Sequence, residues 1–472
     1  MAPPRELPGF YYDPEKNRYF PIKGPIPGSS SKPTLKTPQT PSNELQESGR
    51  SCCGKLRNRT LSKLLQAREL DGRHVVDSHS CKYDFAEEYW KIQASKPVVW
   101  RYQGTDKMGA CALEHLRVDV QTLQGQTETD VLLIGSINGS MSFSEVGGVG
   151  QYIDDGTKWR ADCVRNYVEG KTFEHNEVHK PVFRPNRAAL LMPSRISCIR
   201  LGPKFSPHTV NDGPVGRVLF TTLGSETSGG SVYTLGLVEP LNLGPGILNT
   251  WSGLEEIASF RCTLWTAEYD YNRHRAGNVI LCGLRNGAIV TADFREKRER
   301  LSDRLITHRI PNTSDMGVGD FKKQWFKLKG DIYPSHTIRM PSSISSLVSL
   351  QFDEQYFVAS SMDGSMRLYD HRLLQRGAVQ CYEGHVNSHT RIQIGVDPAE
   401  RFVMSGGEDC KLRLWSLKSG ELLFEDKFSD SILSTMCYKT HRSKEENQYK
   451  RDSSSHGAWL GSHEGLFFMR WL

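Results

Sequence analysis

From residue 131 onward the chain alternates apolar and polar positions in short runs, and a Gly, Asn or Asp breaks each pair of runs. A side-chain period of two belongs to a strand with one face buried and the other turned away. Asn-Gly and Asp-Gly breaks supply the left-handed positions of a tight hairpin. The pattern predicts six hairpins: VLLIGSINGSMSF at 131–143, VLFTTL with SVYTLGLV at 218–238, VILCGLRNGAIVTADFR at 279–295, YFVASSMDGSMRLYDHR at 356–372, FVMSGGEDCKLRLWS at 402–416 and AWLGSHEGLFFMRWL at 458–472.

In the later part of the chain these hairpins recur about every 40 residues, and residues 344–350 and 432–438 supply a strand upstream of two of them. Units of this period and strand content are the four-stranded blades of a β-propeller. The expected fold is therefore all-β, a propeller over residues 96–472. Seven blades are expected if residues 98–120 build one more; six is the alternative. The gaps at 144–192 and 297–338 are expected to be loops inserted between strands, where recognition residues concentrate.

Ahead of the propeller the pattern changes. In residues 1–20 aromatic residues flank a turn-prone core, so 10–12 and 18–20 can pair around Pro14–Asn17 as a docking hairpin. Residues 21–50 are rich in Pro, Ser and Thr, a composition expected to remain a disordered linker. Residues 51–95 are expected to be helical. Leu56, Leu64, Leu65 and Ala67 fall on one side of a basic segment, and a D-x-x-E capping pattern, Asp84 to Glu87, precedes Tyr89, Trp90 and Ile92.

The composition narrows the function classes. The chain has 472 residues, 37% hydrophobic, with a net charge of +6. Residues 1–70 hold 12 Lys and Arg against 6 Asp and Glu, which accounts for the whole excess. A neutral body with a basic arm argues against a nucleic-acid-binding domain, whose positive potential lies on a folded face. The absence of a long apolar run predicts no spanning helix, and the eleven Cys, scattered without a C-x-x-C pair, predict reduced thiols in cytoplasm or nucleus. No metalloprotease, hydrolase or P-loop signature is present, since Arg165 stands where a P-loop before Gly170-Lys171-Thr172 needs glycine. The chain is expected to be no enzyme and to need no cofactor or metal.

The candidate functional residues lie at hairpin ends. Asp370 and Arg372 close one hairpin, and Asp293 and Arg295 stand in the same relation in the hairpin before it. An Asp can hold its Arg through a charge-assisted bond and leave guanidinium donors for a partner. A second set, His385, Ser405, Asp409 and Trp415, has Ser405 four residues before Asp409 and Asp409 six before Trp415. It resembles the structural tetrad of WD-repeat propellers, in which carboxylate, imidazole, hydroxyl and indole bond in series.

The segments ending in Asp293-Phe294-Arg295 and Asp370-His371-Arg372 also resemble the DWD box of propellers that bind the damaged-DNA-binding adaptor of cullin-4 RING ubiquitin ligases, with Ala292 and Tyr369 in place of its Trp. The N-terminal ELPGFYYDPEKNRYF resembles the start of the DDB-and-cullin-associated factor four family, which shares the succession of aromatic hairpin, polar linker, helix and degenerate WD propeller. The resemblance implies a non-catalytic receptor that presents protein substrates for ubiquitylation. It also implies a helix that enters the adaptor, for which Leu61, Leu64 and Leu65 would be the anchors. The alternative is a WD-repeat scaffold in another assembly.

Overall fold

The computed structural model describes residues 10–13, 18–21, 69, 74–76, 82–122, 125–146, 157–158, 161–165, 182–183, 190–202, 216–225, 229–237, 251–260, 263–270, 279–293, 306–307, 325–328, 331–332, 338–439 and 457–471. It divides into two compact units, Met1–Gly54 and Lys55–Leu472. In the first, strands Phe10–Asp13 and Arg18–Pro21 form an antiparallel hairpin with Tyr11 opposite Phe20 and Asp13 opposite Arg18, the pairing expected of the N-terminal aromatic segment.

The second unit is a β-propeller. Among the described residues six antiparallel sheets of four or more strands follow one another in the chain. The first blade begins with Ala112–Thr122, the second with Ile196–Leu201, the third with Leu264–Tyr269, the fourth with Ile344–Ser349, the fifth with Gly395–Val396 and the sixth with Thr435–Tyr438. These first strands are the innermost and lie side by side around the ring. The fourth and fifth blades are joined where Ile394 N donates to Ser346 Oγ at 3.2 Å.

All six hairpins expected from the alternation are present, but among the described residues the seventh blade is not. Residues 98–120, expected to form it, are divided between two blades. Strand Pro97–Tyr102 pairs with Gly465–Trp471 and completes the sixth blade, whereas Ala112–Thr122 opens the first. The physical reason is ring closure. Phe467 opposite Arg101 and Trp471 opposite Pro97 satisfy an edge that would otherwise present unpaired backbone groups. Val98, Val99, Phe467 and Met469 are fully buried there.

The two long insertions also contribute strands. Ala161–Arg165 adds a fifth strand to the sixth blade beside Pro97–Tyr102. Trp325–Leu328 pairs with Trp251–Phe260 of the second blade, and Asp331–Ile332 and Ile338–Arg339 pair with Ala288–Asp293 of the third. Two insertion junctions carry sequences that differ only at the fourth residue, Met192-Pro193-Ser194-Arg195-Ile196-Ser197 and Met340-Pro341-Ser342-Ser343-Ile344-Ser345. In each, the Met N–H donates to a turn glycine carbonyl, Met192 to Gly139 at 2.9 Å and Met340 to Gly287 at 2.8 Å. Both glycines have φ of 81°, and a Cβ on Gly287 would lie 2.4 Å from the Met340 carbonyl oxygen, so the Asn-Gly turns and the MPS segments require one another.

Helix Phe85–Ala94 starts immediately after Asp84, where the capping pattern places it, and it packs on the body. Trp90 lies against the cluster shared by the fifth and sixth blades, with the Arg401 guanidinium 4.1 Å from its ring centre. Lys91 pairs with buried Glu88 at 3.1 Å, and Trp471 Nε1 donates to the Ala94 carbonyl at 3.1 Å. The basic segment at 56–70 lies outside the described residues, except for Glu69.

Candidate functional site: an exposed arginine and a propeller face

The fourth blade brings Asp370 and Arg372 together at the end of its third strand, Met366–Asp370. Asp370 is 2% exposed, and Tyr369 before it stacks on Phe357 at 5.4 Å. Its carboxylate accepts from Arg372 Nε at 3.0 Å, from Arg372 Nη2 at 2.7 Å and from the Arg372 backbone N–H at 2.8 Å. The forked bond to Arg372 keeps the carboxyl below its ordinary range, and Asp370 in turn raises the guanidinium. His371 points inward, 3.6 Å from Asp270 of the third blade and 4.8 Å from the Phe357 ring. The Arg372 side chain, by contrast, is 59% exposed. A buried acid thus fixes the orientation of a guanidinium that faces outward, the arrangement needed to recognise a partner's carboxylate or carbonyl at low ordering cost.

A neighbouring feature escaped sequence reasoning. The loop between the first two strands of the fourth blade is held by Glu400 of the fifth. Its carboxylate accepts from the backbone N–H groups of Gln351, of Phe352 at 2.8 Å and of Asp353 at 3.0 Å. Glu400 has φ of 53° in a tight turn in which its own N–H donates to the Asp397 carbonyl at 2.7 Å. The clamp displays Phe352 at 76% exposure on the same end of the blade as Arg372, since Tyr356 pairs opposite Asp370. Val379 and Leu373 are exposed on the connection leaving that end. A lone Phe in QFDEQ carries no periodic signal, and nothing in DPAER points Glu400 at the adjacent blade.

The second candidate set is only partly connected. Ser405 Oγ lies 3.1 Å from His385 Nε2, and His385 Nδ1 faces the Gly364 carbonyl at 3.3 Å. The expected series stops there. Trp415, fully buried, donates Nε1–H to the Glu383 carbonyl at 2.8 Å. Asp409 accepts from Arg413 Nη1 at 3.0 Å and from the Lys411 N–H at 3.3 Å. Arg413 is the stronger donor, being charged and within reach of both carboxylate oxygens, so it takes the place the imidazole has in the expected relay. Burial holds the His385 imidazole neutral, its pKa lowered.

Inside the ring, Glu114, Arg200 and Glu268 from the first three blades meet. Arg200 lies 3.1 Å from Glu114 Oε2 and 2.7 Å from Glu268 Oε2, and donates to the Leu347 carbonyl at 3.1 Å. Burial pushes the Glu268 carboxyl up to about 7 against the pull of Arg200, and raises Glu114 too. Sequence holds a signal for two of these residues, Arg200 and Glu268, each the lone charged group in its inner strand, ISCIRL and LWTAEY; Glu114 shares its strand with His115, Arg117 and Asp119.

Asp293 ends the strand Ala288–Asp293, with its backbone opposite Asp331. Arg295, Leu61, Leu64 and Leu65 lie outside the described residues. Among the described residues no cluster of His, Cys, Asp and Glu has metal-holding geometry, and no helix is long and apolar enough to cross a membrane.

Residues 320–428, which contain Asp370, Arg372 and the His385 set, match the family described as the DDB1- and CUL4-associated factor 4 beta-propeller domain. The chain is similar to DDB1- and CUL4-associated factor 4. The bovine protein of that name is 38% identical over 177 residues, 35% of each chain. The human DDB1- and CUL4-associated factor 4-like protein 2 is 42% identical over 82 residues, 17% of this chain and 20% of the relative. An uncharacterised WD repeat-containing protein from Caenorhabditis elegans is 25% identical over 147 residues, 31% of this chain and 21% of the relative. The matches thus span about a fifth to a third of these relatives, and they support a WD-type propeller.

Proposed function

We propose that this protein is a non-catalytic substrate receptor that links target proteins to a cullin-4 RING ubiquitin ligase through its DDB1 adaptor. The observation that carries the proposal is the exposed Arg372 guanidinium held on buried Asp370 in a blade similar to DDB1- and CUL4-associated factor 4. The proposed docking face centres on this pair, with Phe352 beside it as an apolar anchor; an aromatic next to an arginine is the usual composition of an interface hot spot. Asp293 with Arg295 is proposed as a second polar contact, and Leu61, Leu64 and Leu65 as helical anchors in an adaptor groove. Residues 1–20, 21–50 and 96–472 are proposed to act as docking hairpin, linker and receptor propeller, in cytoplasm, nucleus or both; the segment 51–95, expected to be helical, instead holds the antiparallel strand pair His74–Val76 and Lys82–Asp84 ahead of helix Phe85–Ala94, and only the part before it is proposed as the adaptor helix.

The test is adaptor capture by full-length protein carrying Arg372→Ala, with folding verified by thermal melting. A hot spot of about 2 kcal/mol corresponds to roughly 30-fold weaker binding. Capture at undiminished strength by Arg372→Ala combined with Arg295→Ala and deletion of residues 56–70 would sink the proposal. Recovery of another stable assembly with no cullin component would replace it with the scaffold alternative.

A further inference from the structure

The turn that carries Glu400 joins the first two strands of the fifth blade, Gly395–Val396 and Phe402–Gly406, as the loop that displays Phe352 joins those of the fourth. Glu400 holds a left-handed backbone, φ 53°, which a side chain other than glycine keeps only where its neighbours fix it. Four bonds do so. The Glu400 N–H donates to the Asp397 carbonyl at 2.7 Å and the Asp397 N–H to the Phe402 carbonyl at 2.9 Å. The Arg401 carbonyl accepts from the Leu417 N–H at 2.8 Å, and Arg401 Nε donates to Asp397 Oδ2 at 2.8 Å, closing the turn from end to end.

The outer side of this lock is the helix Phe85–Ala94. The Arg401 guanidinium lies between the Asp397 carboxylate and the face of Trp90, 4.1 Å from the ring centre. Its side chain is 23% exposed, so the cation–π contact is partly shielded from water and stronger than one on an open surface. The helix is seated by the fifth and sixth blades: Lys91 reaches Glu421 of the fifth at 3.8 Å, and the Ala94 carbonyl accepts from Trp471 of the sixth. A connected set of contacts therefore runs from Trp90 through Arg401 and the turn to Glu400, and from the Glu400 carboxylate to the backbone N–H groups of Gln351, Phe352 and Asp353. Relaxation of one residue, Glu400, out of the left-handed region redirects its side chain, so the three bonds to the Phe352 loop are lost together.

We propose that Trp90 is a positioning residue for Phe352: the seated helix locks the turn at 397–401 through Arg401, and the locked turn aims Glu400 at the 351–353 amides. The helix thereby regulates the docking face without touching a partner. An event that lifts the helix from the fifth blade releases Glu400 and frees Phe352 from its displayed position. Only for what that face binds does the inference rest on the adaptor reading.

The test is hydrogen–deuterium exchange of the full-length protein, read at 351–353 and, as a control for general loosening of the fifth blade, at 402–406. Trp90→Leu is expected to speed exchange at 351–353 about fivefold, the worth of one partly shielded cation–π contact, with 402–406 unchanged. Trp90→Phe, which keeps a ring face for Arg401, should recover part of the protection. In a Glu400→Ala background Trp90→Leu should add nothing at 351–353, because the lock acts through Glu400; a merely structural effect of the Trp would add independently. If Trp90→Leu fails to fold, Arg401→Lys decides, since an ammonium cannot bond Asp397 and lie flat on the ring as a guanidinium does. Unchanged exchange at 351–353 in the folded variants, or a full additional increase in the Glu400→Ala background, overturns the proposal. Exchange needs no adaptor, so failure of the adaptor reading would show separately, as undiminished capture by the variants that test it.

Discussion

Replacing Glu268 by Gln tests whether burial or Arg200 governs the charge trio inside the ring. The carboxyl rises from an ordinary 4.5 to about 7 because burial outweighs Arg200, which lies 2.7 Å away. Between these values the folded chain keeps a proton that the unfolded chain has released, so the contribution of this group to stability falls as pH rises. At 1.36 kcal/mol per pH unit of displacement, the loss between pH 5 and pH 8 is about 2–3 kcal/mol. Glu268→Gln preserves the shape and an acceptor for the Tyr269 N–H, which bonds Glu268 Oε1 at 3.0 Å, but it cannot titrate. The assay is urea unfolding followed by tryptophan emission at pH 5, 6, 7 and 8, read as wild type minus variant. That difference should move against the wild type by about 2–3 kcal/mol across the range, with the step shared with Glu114 because both acids face Arg200. A flat difference, or one that favours the wild type as pH rises, would refute the reasoning and mean that Arg200 keeps Glu268 ionised throughout.

Other outcomes follow from single contacts. His385 is held neutral by burial, so the unfolded chain takes up a proton as pH falls through about 6.5 while the folded chain does not; the stability difference between wild type and His385→Gln should shrink from pH 7.5 to 5.5. Glu400→Ala removes the acceptor of three backbone N–H groups, which should cost about 1–3 kcal/mol and speed amide exchange at 351–353, measured by mass spectrometry. Gly287→Ala places a Cβ against the Met340 carbonyl at positive φ, so its melting temperature should drop, with a cost of about 1–3 kcal/mol.

Much of the propeller was legible in the chain because alternation and Asn-Gly or Asp-Gly turns are local signals. Each of the six hairpins appears with strands close to the expected bounds. Blade number was not local. Pro97–Tyr102 and Ala112–Thr122 both read as strands, and only the pairing of the former with Gly465–Trp471 assigns them to different blades. The Asp370–Arg372 bond could be anticipated from two residues in one segment. The partners of Asp409 and Trp415 could not, since Arg413 and the Glu383 carbonyl compete with the spaced partners only once the blade is assembled. Phe352 is likewise displayed by an acid 48 positions away in the next blade.

Ring closure has a consequence for synthesis on the ribosome. Strand Pro97–Tyr102 leaves the ribosome long before its inner neighbour Gly465–Trp471 is made. At about 5–20 residues per second, the early strand waits roughly 20–70 seconds for its pairing partner. During that interval Val98, Val99 and Trp100, all buried in the finished ring, have no blade to enter. The closing strand is therefore exposed to mispairing throughout that interval, and a holding chaperone would have a segment to act on for as long.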